Sequence, residues 1–396
     1  MRYILLLSLL LFSNIGATEN NESNKATPED LLIQTLNKIS TGDLNTAIKD
    51  INVLIKKVPN FRLAHLIHGD LLSARTQNIN TFGGDAYKTN PDAVNDLKTE
   101  ASKRIKSYLY KNDKLLNLNL NIQLDIKYKY LIFIDVKNSR LFTFKNNKGK
   151  LSYNTDHYIS IGKKGFYKKI DGDKKTPVGV YFLKNKIKRK LPDLYGAEAY
   201  TLNYPNDYDK IRKYTGSGIW IHGVPKETYV RAPQASDGCI VLSNQDLKKI
   251  SHILNTKNTP VIISNHGIIE FNNRDAMTVA ENKKNILNII QNWKNDWVKG
   301  NFDNYISHYA PAATYNHQSY LEWTIKKKKV LARSNNIQIA LNNISVFEYP
   351  NQNDNLLLVD FYQHYKSSLI TSKTHKTQIW IKKNKDWKIV YEGNFE

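Results

Sequence analysis

The chain has 396 residues, 41% hydrophobic and 11% aromatic, which excludes a disordered polymer and leaves room for two or three separate cores. Its 58 Lys and Arg against 36 Asp and Glu give a formal charge of +22, so acidic partners are expected. The single cysteine, Cys239, excludes any intrachain disulfide. Arg2, the apolar run 3–12 and the small pair Gly16-Ala17 have the order of a secretory signal peptide, expected over residues 1–17. That run is too short to span a bilayer, and no other long apolar segment occurs, so an exported protein without a transmembrane segment is expected. An exported chain rarely meets nucleic acid, which is therefore not an expected partner. Wall polymers and anionic membrane surfaces fit the charge, and a coding bias enriching Lys, Asn, Ile and Tyr together accounts for it equally well.

Residues 18–127 are expected to form a helical segment. Thr27-Pro28-Glu29-Asp30 opens a helix, with Thr as N-cap, Pro in the first turn and acids at the positive end of the dipole. Leu32, Leu36 and Ile39 follow at helical spacing until Gly42. A second helix runs through Leu44, Ile48, Ile51 and Ile55 to Pro59, and a third carries Leu63, Leu66, Ile67 and Leu71. Two antiparallel helices and a third behind the Pro59-Asn60 joint resemble one tetratricopeptide-like unit. A lone repeat buries no continuous core, so this one is expected to pack on its neighbour. After Gly83-Gly84, residues 92–111 read as a further, charged helix.

From 128 to 268 the pattern is that of strands. Runs at 131–136 and 140–144 flank Lys137-Asn138-Ser139 as a hairpin, and further strands read at 158–161, 179–183, 199–202, 219–222, 239–242 and 260–264. A helix reads at 246–254, and a compact sandwich or barrel with a site at one end is expected. Two stretches carry chemistry. One is Ile161-Gly162-Lys163-Lys164-Gly165 followed by Gly172-Asp173-Lys174-Lys175-Thr176-Pro177-Val178-Gly179-Val180-Tyr181. The other, 219–242, holds His222-Gly223 and then Ser236-Asp237-Gly238-Cys239. Thiolate chemistry needs a sulfur, a nitrogen base and backbone amides facing a developing oxyanion. Glycine beside each of them lets the main chain turn sharply and approach a substrate. A lone cysteine is most often a small buried hydrophobe. The turn-forming flank places Cys239 at a surface, however, and an unpaired thiol in an oxidising compartment is a liability unless used. Asp171-Gly172-Asp173 fails as a calcium loop, because Lys175 and Thr176 stand where a further oxygen ligand and a glycine belong. No metal cluster and no cofactor are expected.

The two stretches, in this order and with His-Gly between them, resemble the signature of the YkuD-type L,D-transpeptidase family over about a third of the chain, residues 129–265. The resemblance implies a mostly-β catalytic domain and the following roles. Cys239 is the nucleophile, His222 the base, and Gly223 orients His222 through its carbonyl. The amides of Gly238 and Cys239 line the oxyanion hole. Many members carry His before the Gly-Cys pair and Arg two residues after the cysteine; here Asp237 and Val241 stand there. Arg231 is the candidate to replace that arginine at the substrate carboxylate, with Ser236 beside it as a second substrate-binding residue.

Residues 272–396 read as a separate unit behind the polar joint 272–275. Ile286, Ile290, Trp293 and Trp297 recur at helical spacing before Gly300, and strands follow at 337–347, 356–365, 376–382 and 387–391. A long helix before a curved antiparallel sheet resembles the nuclear-transport-factor-like cone. Trp293, Trp297, Tyr305, Tyr309 and Trp323 are expected to fill it, a pocket being the alternative, and no acid/base constellation is evident. The expected fold class is thus α+β multidomain, with a helical segment, a mostly-β catalytic domain and an α+β cone. That order is similar to periplasmic cell-shape L,D-carboxypeptidases. It implies a periplasmic enzyme acting on peptidoglycan peptide stems, with a protein partner or wall ligand on the cone. Transpeptidation at the meso-diaminopimelate–D-Ala bond of tetrapeptides comes first, trimming to tripeptides is the alternative, and a non-catalytic wall-binding protein is the reading from another class.

Overall fold

Thr27 accepts the Asp30 amide on its hydroxyl while the Asp30 carboxylate takes the Thr27 amide back at 3.0 Å, so the first helix begins on a closed capping box. The computed structural model describes residues 26–79, 81–111, 123–268, 276–315, 318–350, 356–384 and 386–395. The expected signal peptide and the polar joint 272–275 lie outside them. Helices α1 (Pro28–Ser40), α2 (Leu44–Lys57) and α3 (Arg62–Ser73) follow in the order the apolar spacing predicts, then the short α4 (Gly84–Thr89) and the charged α5 (Pro91–Lys111). Their apolar faces, including Leu32, Ile51, Leu54 and Ile67, form one core that also takes in Tyr229 from the catalytic domain. The helices thus bury part of their apolar face against a neighbouring loop. A buried ion network fixes the same junction: Glu29 accepts from Arg104 at 3.2 Å and Arg140 at 2.6 Å, Arg104 donates to Glu100 at 2.9 Å, and Arg140 also pairs with Asp156. Burial alone would raise the Glu29 pKa, but the two guanidinium groups outweigh it and hold the carboxyl below its usual range.

The central domain contains β1 (Tyr130–Asp135), β2 (Arg140–Asn147), β3 (Lys150–Tyr158), β4 (Ile161–Gly162), β5 (Gly179–Lys186), β6 (Ala199–Leu202), α6 (Asp207–Ile211), β7 (Trp220–His222), β8 (Gln234–Ser236), β9 (Ile240–Val241), α7 (Asn244–Leu254) and β10 (Pro260–Ser264). Eight of these strands form one mixed sheet in the order β3-β2-β1-β10-β5-β6-β7-β9, while β4 and β8 pair as a ribbon. Just beyond β3, Ser160 exchanges two 2.9 Å hydrogen bonds with Val241 of β9, so the two ends of the sheet meet as in a barrel. Both faces are covered, which explains the unbroken apolar run of β1. Ile132 and Ile134 join the inner core with Leu247 and Ile250 of α7, and Leu131 and Phe133 face the other way.

What they face is the cone. It comprises α8 (Ala276–Val298), α9 (Phe302–Ser307), β11 (Tyr309–Tyr315), α10 (Tyr320–Arg333) and the strands β12 (Gln338–Glu348), β13 (Leu356–Lys366), β14 (Thr371–Lys383) and β15 (Asp386–Asn394). Its five strands run β11-β15-β14-β13-β12. Inside it, Trp293, Trp297, Tyr305, Tyr309 and Trp323 are buried in one cluster. The opposite face of its sheet, with Phe347, Leu358, Ile379 and Tyr391, packs into the same core as Phe133, Phe142 and Phe182 of the catalytic sheet. Polar ties cross this junction, Tyr128 donating to Asp360 at 2.7 Å and Tyr391 to Asp207 at 2.6 Å. The last third therefore has its own aromatic core and shares a second one with the central sheet. Helix α10 is an addition to the expected elements. Its capping box, Ser319 with Glu322, stands in the sequence ahead of the lysine run 326–329.

Candidate active site

The site is built by the parallel pairing of β7 with β9, in which Ile221 lies opposite Ile240 and His222 opposite Val241. One residue earlier in that register Cys239 falls opposite Trp220. Side chains alternate along a strand, so Trp220, His222 and Cys239 share one face while Ile221 and Ile240 enter the core. Two register positions apart, His222 and Cys239 are diagonal neighbours. Tyr195 closes the side of this face, its ring centroid 5.0 Å from Trp220 and 5.2 Å from His222.

Cys239 is half-buried and its Sγ donates to the Gly218 carbonyl at 3.4 Å. Burial pushes the thiol up, against the Trp220 amide and the Arg231 charge, which favour the thiolate. His222 is buried, and its Nδ1–H donates to the Gly223 carbonyl at 2.7 Å, which makes Nε2 the basic nitrogen of the neutral ring, while the Tyr195 backbone also hydrogen-bonds the imidazole. Burial, with a smaller contribution from Arg231, lowers its pKa to about 4. At neutral pH the two groups are a thiol and a neutral imidazole on one shared strand face.

Glycine is required on both loops. A Cβ on Gly223 would stand 2.0 Å from Oδ1 of Asn244, and one on Gly238, whose φ is 122°, would stand 2.7 Å from the Lys175 carbonyl. Asn244, in the first turn of α7, accepts from the amides of Ala197 at 3.2 Å and Val224 at 3.3 Å and donates to the Val224 carbonyl at 2.7 Å. It therefore pins the chain on which the Gly223 carbonyl is presented to His222. Thr176, fully buried, does the same for the cysteine loop: its hydroxyl accepts the Gly162 amide at 2.9 Å and donates to the Gly238 carbonyl at 3.0 Å. The Thr-Pro and Gly-Cys motifs, 62 residues apart, meet through that one oxygen.

Ser236 turns inward. Its hydroxyl donates to the Cys239 carbonyl at 2.6 Å and accepts the Gly238 amide at 3.1 Å. The Gly238 amide is thereby occupied, whereas the Cys239 amide takes part in none of the described hydrogen bonds. Arg231 is half-buried, donates to the Leu194 carbonyl at 2.8 Å, and acts electrostatically on Cys239, Asp237 and His222. Asp237 is exposed and paired with Lys163 at 2.8 Å. Cys239, His222, Gly223, Gly238, Ser236 and Arg231 thus lie about the β7–β9 pair, with Asn244, Thr176, Tyr195 and Trp220 against them. Asn244 had one signal, the Ser243–Asp246 helix start. Among the described residues no group of His, Cys, Asp and Glu could hold a metal ion.

The cone holds a polar cluster where none is evident in the sequence. Glu392 accepts from Tyr309 at 2.6 Å, Gln378 at 2.9 Å and Lys376 at 3.4 Å, and Lys376 also donates to Tyr315 at 2.7 Å. Lys327 Nζ lies 3.7 Å from the Trp297 ring centroid, and burial lowers its pKa to about 7.

Residues 129–263 match the model of the YkuD L,D-transpeptidase catalytic domain, and residues 285–393 that of the Cds6 C-terminal NTF2-like domain. The chain joins a YkuD-type L,D-transpeptidase domain to an NTF2-like domain. Among solved structures, this two-domain chain resembles Bd1075 of Bdellovibrio bacteriovorus with 27% identity and a TM-score of 0.60, over 71% of this chain and 99% of that one. It shares its fold with the helical cell shape determining protein Pgp2 of Campylobacter jejuni at 24% identity and a TM-score of 0.59, over 72% and 98%. No curated protein matches the chain. Among the described residues no helix is long and apolar enough to cross a membrane.

Proposed function

We propose that the protein is a periplasmic cysteine enzyme that cleaves the meso-diaminopimelate–D-Ala bond of peptidoglycan tetrapeptide stems through an acyl-enzyme on Cys239. The supporting observation is the neutral His222, its Nδ1–H committed to Gly223, on the strand face it shares with Cys239. In this reading Nε2 takes the proton of the thiol as Sγ attacks the carbonyl on the L-centre. The resulting oxyanion meets the Cys239 amide. The Gly238 amide is spent on Ser236, so Gly238 contributes its backbone conformation, and Ser236 shapes the loop rather than binding substrate. Collapse of the intermediate breaks the C–N bond, and the leaving D-alanine amine receives the proton from His222. Arg231 holds the carboxylate of that D-alanine, as a guanidinium suits.

The acyl-enzyme is resolved by an amine of a neighbouring stem, giving a cross-link, or by water, giving a tripeptide. Transpeptidation is the first reading. Trimming that sets cell shape is the second, supported by the fold shared with a helical cell shape determining protein. The cone, with its buried charge cluster, is assigned to holding wall material. A wall-binding protein without catalysis would have no use for the paired His222 and Cys239. The test is incubation with disaccharide-tetrapeptide, with and without an amine acceptor, followed by mass spectrometry, alongside labelling by a carbapenem. A cross-linked or trimmed product and an adduct on Cys239 are expected. Neither product nor adduct would leave only the wall-binding reading.

A further inference from the structure

The loop that carries Arg231 is anchored outside the catalytic domain. Tyr229, 8% exposed, belongs to the core of the helical unit, with its ring centroid 4.7 Å from that of Phe61. Val230 packs against the same core, and Asn60, at the joint between α2 and α3, donates to the Lys226 carbonyl at 3.3 Å. A second arm comes from α5. The Arg104 guanidinium, held by Glu100 and Glu29, lies 3.9 Å from the Tyr158 ring centroid and 5.4 Å from that of Phe61. The Tyr158 hydroxyl in turn donates to the carbonyl of Arg231 itself at 3.0 Å. Both arms therefore end at residues 229–231, one residue of which reaches toward Cys239 and His222.

We infer that the helical unit is a positioning element for Arg231, with Phe61, Arg104, Tyr158 and Tyr229 as positioning residues that set how the site discriminates a free substrate carboxylate. The inference rests on the reading of Arg231 as the carboxylate holder. A guanidinium on a free loop samples many rotamers, whereas one whose main chain is fixed at two points loses little further entropy on binding. With residues 229–231 fixed by Phe61 of the helical unit and by Tyr158 of β3, whose ring Arg104 of α5 covers, and the guanidinium held by the Leu194 carbonyl, the side chain is stretched between two supports. Removing the helical support lets the charge drift without changing Cys239, His222 or Asn244.

The test compares kcat/KM for a tetrapeptide with a free terminal carboxylate and for its terminal amide, in the full chain. One charge-assisted contact gives the wild type a preference for the acid of about 10- to 100-fold. Arg231→Ala is expected to reduce the preference to near unity. Tyr158→Phe, which deletes one hydroxyl, and Phe61→Leu, which keeps apolar volume, are each expected to lower it at least about threefold while turnover of the amide stays within about twofold of wild type. Circular dichroism confirms the fold of each. Loss of preference in Arg231→Ala with full preference in both Tyr158→Phe and Phe61→Leu would overturn the positioning role and leave the carboxylate reading standing. Full preference in Arg231→Ala would overturn the carboxylate reading and the inference with it.

Discussion

Thr176 offers the sharpest test of how the site is held. Replacing it by Val keeps the shape and removes one oxygen, leaving the Gly162 amide and the Gly238 carbonyl without their bonds of 2.9 Å and 3.0 Å. Each orphaned buried group costs about 1–3 kcal/mol, so a loss of about 2–6 kcal/mol is expected in urea unfolding. The kinetic effect has a separate origin. Released from Thr176, the Gly238 peptide can rotate, and the Cys239 amide rotates away from the developing oxyanion. Losing a whole oxyanion donor costs about 100- to 1,000-fold, so a misdirected one should slow carbapenem acylation by about 10- to 100-fold. Thr176→Ser keeps the hydroxyl and deletes a methyl group, at about 1 kcal/mol, and should acylate within about threefold of wild type. Stopped-flow acylation of the three proteins measures this. Equal rates in the Val variant and wild type, or equal slowing in Ser and Val, would refute the role of the hydroxyl.

Cys239→Ser, which replaces a thiol by a far weaker acid, should fold and lose about 1,000-fold or more in turnover, measured by product release. The pH profile of kcat/KM should have its acid limb near pH 4, where His222 takes up a proton, instead of near the ordinary histidine value. Its alkaline limb should lie above the ordinary thiol value of about 8.5, and a limb near 6.5 would contradict the burial of the imidazole. Because the folded pKa of His222 is depressed, the unfolded chain binds the extra proton, so this group makes stability rise with pH between about 4 and 6.5. Glu29, held low against its burial by Arg140 and Arg104, and Asp246, held low by His157 and Lys249, stabilise the fold above their unfolded values and lose that contribution as pH falls through their folded ones. Thermal melts of wild type and Glu29→Gln between pH 3 and 7 should converge at the acid end. Ending the chain before residue 276 should cost the catalytic fold itself, since Phe133, Phe142 and Phe182 would lose their cover, and activity on soluble tetrapeptide should fall with that on sacculi. Wall holding by the cone is better read from Lys327→Met, expected to weaken binding to sacculi with soluble turnover unchanged.

What could be read in advance was local. Thr27 with Asp30, the strands ending at Leu202 and Ser264, and the glycines beside His222 and Cys239 declare themselves through chemistry within a few residues. Long-range partnerships did not. Glu29 and Arg140 lie 111 residues apart, and neither position suggests the other. Asn244 reads as a helix-start residue until Val224 is seen against it. Tyr229 reads as part of a catalytic-domain loop, and only packing shows that its ring belongs to the helical core. Helix α10 carries the lysine run 326–329, in which the Lys327 stem lies along apolar surface with its Nζ over the Trp297 ring. The cone appeared self-sufficient because its aromatics fill its interior, and the alternate residues of its strands, apolar as well, had no visible destination.

The core shared by the catalytic sheet and the cone has a mechanical consequence. Domains on a flexible linker search a volume, and a second foothold then acts by raising local concentration. Two sheets that bury Phe133, Phe182, Phe347 and Ile379 in one interior cannot swing independently. In the proposed reading, wall material held by the cone is therefore presented to Cys239 at a fixed bearing and reach, as by a caliper with one jaw on each sheet. On a polymer of regular repeat, such a caliper would accept only stems at the spacing of its jaws, which would make the packing of a few phenylalanines far from the chemistry a determinant of where along the strand it occurs.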